Sequence, residues 1–257
     1  MKFMADSYIW IGLCAGGSYV YTTGMITDLE LQWLTLLLIV TSTTALYSFL
    51  QAIKKPTPTL KWIVSLSSIL AFTALVFSKP DLSYFILLPS MAISIGYGRL
   101  PWLKKNLRSI PYLKVFIISI VWVWVTLLFP VYISQIKLTW EISIFVVSQL
   151  LFLLAVTIPF DIRDLKYDSL FLKTIPQIIG AKNARSLCLL LLALSSLLAI
   201  LYLYFLGMNK GIIAVICTWL FSWITLFRVK ENAKPTFYTI NVDGLLLIQG
   251  IMVLIIR

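Results

Sequence analysis

The chain has 257 residues, of which 60% are hydrophobic and only 12% charged, with 21 Lys and Arg against 10 Asp and Glu for a formal net charge of +11. Soluble globular chains carry about twice that share of charge, and several runs here exceed the roughly 18 apolar residues that mark a membrane-spanning helix. A soluble fold is excluded, and so is a β-barrel, whose strands alternate apolar and polar residues where these runs are apolar on every face. With no His in the chain, His-based zinc sites, catalytic triads and His proton relays are excluded as well.

Hydropathy predicts nine transmembrane helices, at about residues 8–27, 31–53, 62–78, 82–98, 113–134, 140–159, 186–206, 211–228 and 239–256. The connections are short, so the expectation is a single intramembrane helical domain over residues 1–257. Cys14, Cys188 and Cys217 fall inside predicted helices and read as small buried apolar residues. "IGLC" before Cys14 lacks the small residue of a lipoprotein cleavage site, so the first segment reads as a retained helix.

The second segment ends in the basic pair Lys54 and Lys55. The fourth connection, "YGRLPWLKKNLRSIPYLK" (residues 97–114), is denser still, with Lys104, Lys105 and Arg108 among its cations. Such a loop can clamp a diphosphate, since Arg and Lys present dense donors to phosphate oxygens. It can equally be basic for topology alone and touch anionic lipid. The N-terminus and the even-numbered connections hold 17 of the 21 basic residues. The positive-inside rule then places the N-terminus in the cytoplasm and the C-terminus outside. That distribution points to a bilayer and not to nucleic acid.

The sixth segment runs into "PFDIRDLKYDSLFLKTIPQIIG" (residues 159–180). Asp161, Asp164 and Asp168 are spaced by three and four, and on a helix they fall on one stripe, with Arg163 and Lys166 on the other side. Three carboxylates on one stripe repel, so a cation must compensate. Hard oxygen ligands suit Mg²⁺, and Mg²⁺ commonly arrives with phosphates. The other reading is a solvated interfacial turn whose acids pair with nearby Lys and Arg. Asp243, near the start of the ninth segment, is either a functional intramembrane acid or a helix cap. Gly244 and Gly250 read as sites of close helix packing.

"DIRDLKYD…KTIPQIIGAKNA" resembles the second aspartate motif of the UbiA superfamily of intramembrane prenyltransferases, with Asp161, Asp164 and Asp168 at its acidic positions and Lys173, Thr174 and Gly180 trailing. "GYGRLPWLKK" resembles the Tyr-then-Lys stretch that follows the family's fourth helix. The resemblance implies a UbiA-like bundle around a central cavity open to the cytosol. It implies Mg²⁺ held by Asp161, Asp164 and Asp168, with Asp164 and Asp168 catalytic. Lys54, Lys104, Lys105, Arg108, Lys173 and Asp243 would bind the substrate. That substrate would be an isoprenyl diphosphate, and the prenyl group would pass to a lipophilic acceptor.

The family's first acidic motif has no counterpart. In "ALYSFLQAIKKP" (residues 45–56), Ser48, Phe49, Ala52 and Pro56 stand where that motif places its Asn and three aspartates. Two readings follow: a prenyltransferase with an unusual site, or a catalytically silent relative that binds a polyprenyl lipid or joins a membrane-protein partner.

Overall fold

The computed structural model describes residues 8–27, 29–78, 80–98 and 107–256. These residues are helical in long runs, with no strand among them. The helices are α1 (Ile9–Met25), α2 (Trp33–Lys54), α3 (Pro58–Phe77), α4 (Leu87–Tyr97, entered through a 3₁₀ turn at Leu82–Ile86), α5 (Lys114–Ile133), α6 (Trp140–Asp164), α7 (Ile175–Phe205), α8 (Asn209–Phe227) and α9 (Pro235–Ile256). Seven of them are long and apolar enough to cross a membrane; α1 and the Leu82–Tyr97 segment are shorter. The expected count of nine spans is therefore met at seven by length and composition.

Local chemistry sets the boundaries. Thr57 accepts from Leu60 N at 3.2 Å with Pro58 opening α3, and Thr139 accepts from Ile142 N at 3.4 Å to start α6. Side-chain oxygens here satisfy amides that the first helical turn leaves without partners. Helix α7 departs most from expectation, starting at Ile175 where hydropathy placed its start near 186. Pro176 sits in its first turn and Gln177 Oε1 accepts from Thr174 N at 2.9 Å. A polar first stretch, "IPQIIGAKNARS", hid it from hydropathy. Gly180, at φ 80°, kinks the helix there, a backbone region that favours glycine.

Packing joins neighbours in chain order: α2 with α1 and α3, α5 with α6, α6 with α7, α7 with α8, and α8 with α9. Helix α9 returns to pack on α1, which also touches the π-helical turn Trp124–Leu128 of α5. A Cβ on Gly250 would lie 2.5 Å from the Gly17 carbonyl oxygen, and one on Gly17 would lie 2.6 Å from Leu247 Cα. The α1–α9 contact is thus backbone against backbone, the close approach that small residues allow in a bilayer. Polar ties cross the bundle: Ser148 Oγ donates to Ser195 O at 2.9 Å, Tyr202 OH to Met25 O at 3.1 Å, and Ser18 and Thr126 hydroxyls lie 3.1 Å apart. Helix α6 carries the deepest core, including Phe145, Phe152, Ala155 and Ile158, and so fixes its acidic C-terminal end within the bundle.

Candidate functional site

Helix α6 ends at Asp164, so Asp168 belongs to the turn that follows and not to the helix. Asp168 N nevertheless donates to Asp164 O at 2.9 Å, which carries the helical spacing one step further. The three carboxylates accordingly converge. They converge on Lys114, the first residue of α5, whose Nζ lies 2.6 Å from Asp168 Oδ2, 2.7 Å from Asp161 Oδ1 and 3.7 Å from Asp164 Oδ2. The contact to Asp168 is a hydrogen bond; that to Asp161 is an ion pair without hydrogen-bond geometry. Lys114 is 6% exposed and Asp161 2%. Carboxylates this close and this dry repel one another, and an ammonium between them is the simplest compensation.

Two arginines complete the cluster. Arg108 Nη2 stands 3.7 Å from Asp168 Oδ1 and 4.0 Å from Asp164 Oδ2, beyond hydrogen-bonding distance, and its buried Nε has no hydrogen-bond partner among the described residues. Its guanidinium therefore keeps donors to spare. Arg163 does not point away as its position on the stripe implies. Its Nε and Nη2 clasp Asp164 at 2.7 and 3.1 Å, and its guanidinium lies over the rings of Phe160 (5.0 Å) and Tyr238 (5.6 Å). A long side chain can fold back across a helix end, which helical spacing alone does not register. Lys166 does point away, donating to Asn232 Oδ1 at 2.9 Å.

Asp243 is not a cap. Helix α9 begins at Pro235, and a π-helical turn at Tyr238–Val242, closed by Asp243 N donating to Tyr238 O at 3.1 Å, places Asp243 well inside it. Among the described residues, Asp243 forms no ion pair with Lys114, Arg108 or Arg163. Lys173 is held elsewhere: its backbone is left-handed at φ 45°, and its Nζ sits 5.8 Å from the Tyr112 ring centroid. Tyr112 N donates to Leu172 O at 3.1 Å, so Lys173 marks a clip between two connections and touches none of the three aspartates. Lys54 is exposed in the last turn of α2. Lys104 and Lys105 lie outside the described residues.

At the end of α2, Ser48 is fully buried while Phe49 is 40% exposed. The position matched to the first missing aspartate is thus partly exposed, and α2 brings no carboxylate to the cluster. Tyr47 OH, the hydroxyl beside Ser48, lies 3.4 Å from Trp122 Nε1. One residue of the site, Gln177, escaped sequence reasoning, and another, Lys114, was read only as one cation of the basic stretch 97–114. Lys114 is hidden among cations that topology explains; its signal is its place at the mouth of an apolar run. Gln177 Nε2 donates to the carbonyls of Asp168 (3.3 Å) and Ser169 (3.2 Å), tying the start of α7 to the acidic turn. The T-x-x-Q capping pattern was its signal.

The donor chemistry is that of a hard divalent cation: oxygens of three carboxylates gather round one point. That point is filled by Lys114, and among the described residues no three acidic, His or Cys side chains surround an open one. A divalent ion does not fit beside the ammonium. The solvated-turn reading fares no better, because the pairing it expects is present but buried.

No family model and no curated protein sequence matches the chain. Solved structures do. A UbiA homologue from Aeropyrum pernix K1 superposes with a TM-score of 0.67 at 14% identity, over 95% of this chain and 97% of its own. A UbiA homologue from Archaeoglobus fulgidus gives 0.63 at 17% identity, over 98% and 99%. The Archaeoglobus fulgidus homologue bound to GPP and Mg²⁺ gives 0.60 at 14% identity, also over 98% and 99%. From end to end, the chain has the UbiA fold.

Proposed function

We propose that this chain is a UbiA-superfamily membrane protein that binds an isoprenyl diphosphate at the aspartate cluster, on the cytosolic side, and hands the prenyl group to a lipophilic acceptor. One observation carries the reading: a buried cluster of Asp161, Asp164 and Asp168 with Lys114, Arg108 and Arg163, at one end of a UbiA-fold bundle. Mg²⁺ accompanies GPP in the Archaeoglobus fulgidus homologue. Here the Lys114 ammonium occupies the point on which the carboxylates converge.

Arg108 is the group best placed to meet the diphosphate, because its charge faces the cluster while its Nε is unpartnered among the described residues. The apolar helices would hold the isoprenyl tail. Prenyl transfer by ionisation concentrates charge on the leaving diphosphate, and α2 supplies no carboxylate to organise a second cation there. Binding is therefore favoured over turnover, which also accommodates a silent relative that holds a polyprenyl lipid.

Equilibrium binding of radiolabelled GPP to the purified protein, paired with diphosphate-release measurements, tests this. The expected result is saturable binding with slow release, and an Arg108→Gln variant weakened about tenfold or more. Absence of saturable binding, or an Arg108→Gln variant equal to wild type, overturns the reading.

A further inference from the structure

We propose that Lys114 is the resident cation of the aspartate cluster, so that this site meets an anionic headgroup without a divalent metal on its carboxylates. The proposal concerns the same site as the function above but rests on the geometry of Lys114. One ammonium lies within 4.0 Å of an oxygen from each of Asp161, Asp164 and Asp168. Two of those distances, 2.6 and 2.7 Å, are at the short end for charge-assisted contacts. Lys114 comes from a different element than the acids it joins, so the convergence is a product of tertiary packing and not of local sequence.

The charges balance. Lys114, Arg108 and Arg163 face three carboxylates, and each arginine contacts acids that Lys114 also contacts. Mg²⁺ needs oxygens at about 2.0–2.1 Å in near-octahedral order, which requires the ammonium to leave. Leaving is obstructed. Lys114 sits two residues beyond Tyr112, whose amide is bonded to Leu172 O, so the start of α5 is anchored to the very connection that follows the acids. A displaced ammonium would also exchange two close anionic contacts for a largely dry position, at a large desolvation penalty. With the carboxylates served from within, Arg108 retains a partnerless Nε for phosphate oxygens.

The test uses Mn²⁺ alone as the probe, read by electron paramagnetic resonance on purified protein, beside GPP binding with and without EDTA. Wild type is expected to show no saturable Mn²⁺ site and EDTA-insensitive GPP binding. Lys114→Gln should open the carboxylates and gain a Mn²⁺ site, which Asp168→Asn in the same chain should remove. Mn²⁺ bound by wild type and lost in Asp168→Asn alone overturns the proposal, whether or not Lys114→Gln folds. A folded Lys114→Gln variant that stays silent to Mn²⁺ overturns it too. A wild type that binds neither Mn²⁺ nor GPP leaves the resident cation standing and removes the diphosphate reading, so the two failures are distinct.

Discussion

Gln177 shows how one uncharged side chain sets the site. Its amide serves both ends of a joint: the oxygen takes the Thr174 amide at the start of α7, and the nitrogen reaches the carbonyls of Asp168 and Ser169. Asp168, lying past the end of α6, has no helix of its own to hold it, so this bridge fixes the turn that presents it. Gln177→Ala should cost about 1–2 kcal/mol through the lost cap and hydrogen bonds. Thermal unfolding in detergent measures that loss, and protease nicking near Tyr167 should rise with it. An unchanged midpoint would mean that the turn is held by Lys114 and Arg108 alone. Arg163 teaches the complementary lesson. Its spacing implies the far side of the helix, yet attraction to Asp164 and the faces of Phe160 and Tyr238 turns it back.

Among the elements, α1 and α9 depend on each other most directly. Gly17 and Gly250 meet with no side chain between them, so any substitution at either must push two backbones apart. Gly250→Leu should destabilise the bundle by about 1–3 kcal/mol, the range seen for overpacked interiors. Unfolding in detergent reads this, and Gly244→Ala supplies the comparison, since a Cβ there meets only Trp10 Cζ2 at 3.2 Å. Equal losses at the two sites would show that the close approach does not govern packing. The π-helical turns of α5 and α9 matter for another reason. Each inserts an extra residue per turn, which rotates the face that follows; in α9 the rotated stretch begins at Asp243.

At the scale of the whole molecule, Arg108, Lys114 and Arg163 stand at the end that carries the aspartates. Arg185 Nη1 reaches Val229 O at 3.5 Å and Lys166 reaches Asn232, so the connections after α6 and after α8 share that end. The positive-inside rule leads us to expect this end in the cytosol. Single cysteines placed at Tyr167 and Lys182 should both react with an impermeant maleimide from the cytosolic side, and one at Lys137 from the other. Labelling of Tyr167 and Lys182 from opposite sides would break the bundle as described; labelling of both from outside would keep the fold and invert its orientation.

Composition and hydropathy determined the membrane class and the approximate place of most helices, though not the polar start of α7, because burying a backbone in lipid leaves few choices beyond apolar helices. The spacing of Asp161, Asp164 and Asp168 foretold their convergence, since periodicity is local and survives the end of α6. Tertiary structure alone decided what they converge upon. Lys114 is remote in sequence, and only the packing of α5 on α6, with the clip from Tyr112 to Leu172, brings its ammonium among them. The exposure of Phe49 beside the buried Ser48 was likewise settled by how α2 sits against its neighbours. Sequence spacing sets which residues share a face; the partner that face meets depends on contacts between distant segments, which no local pattern encodes.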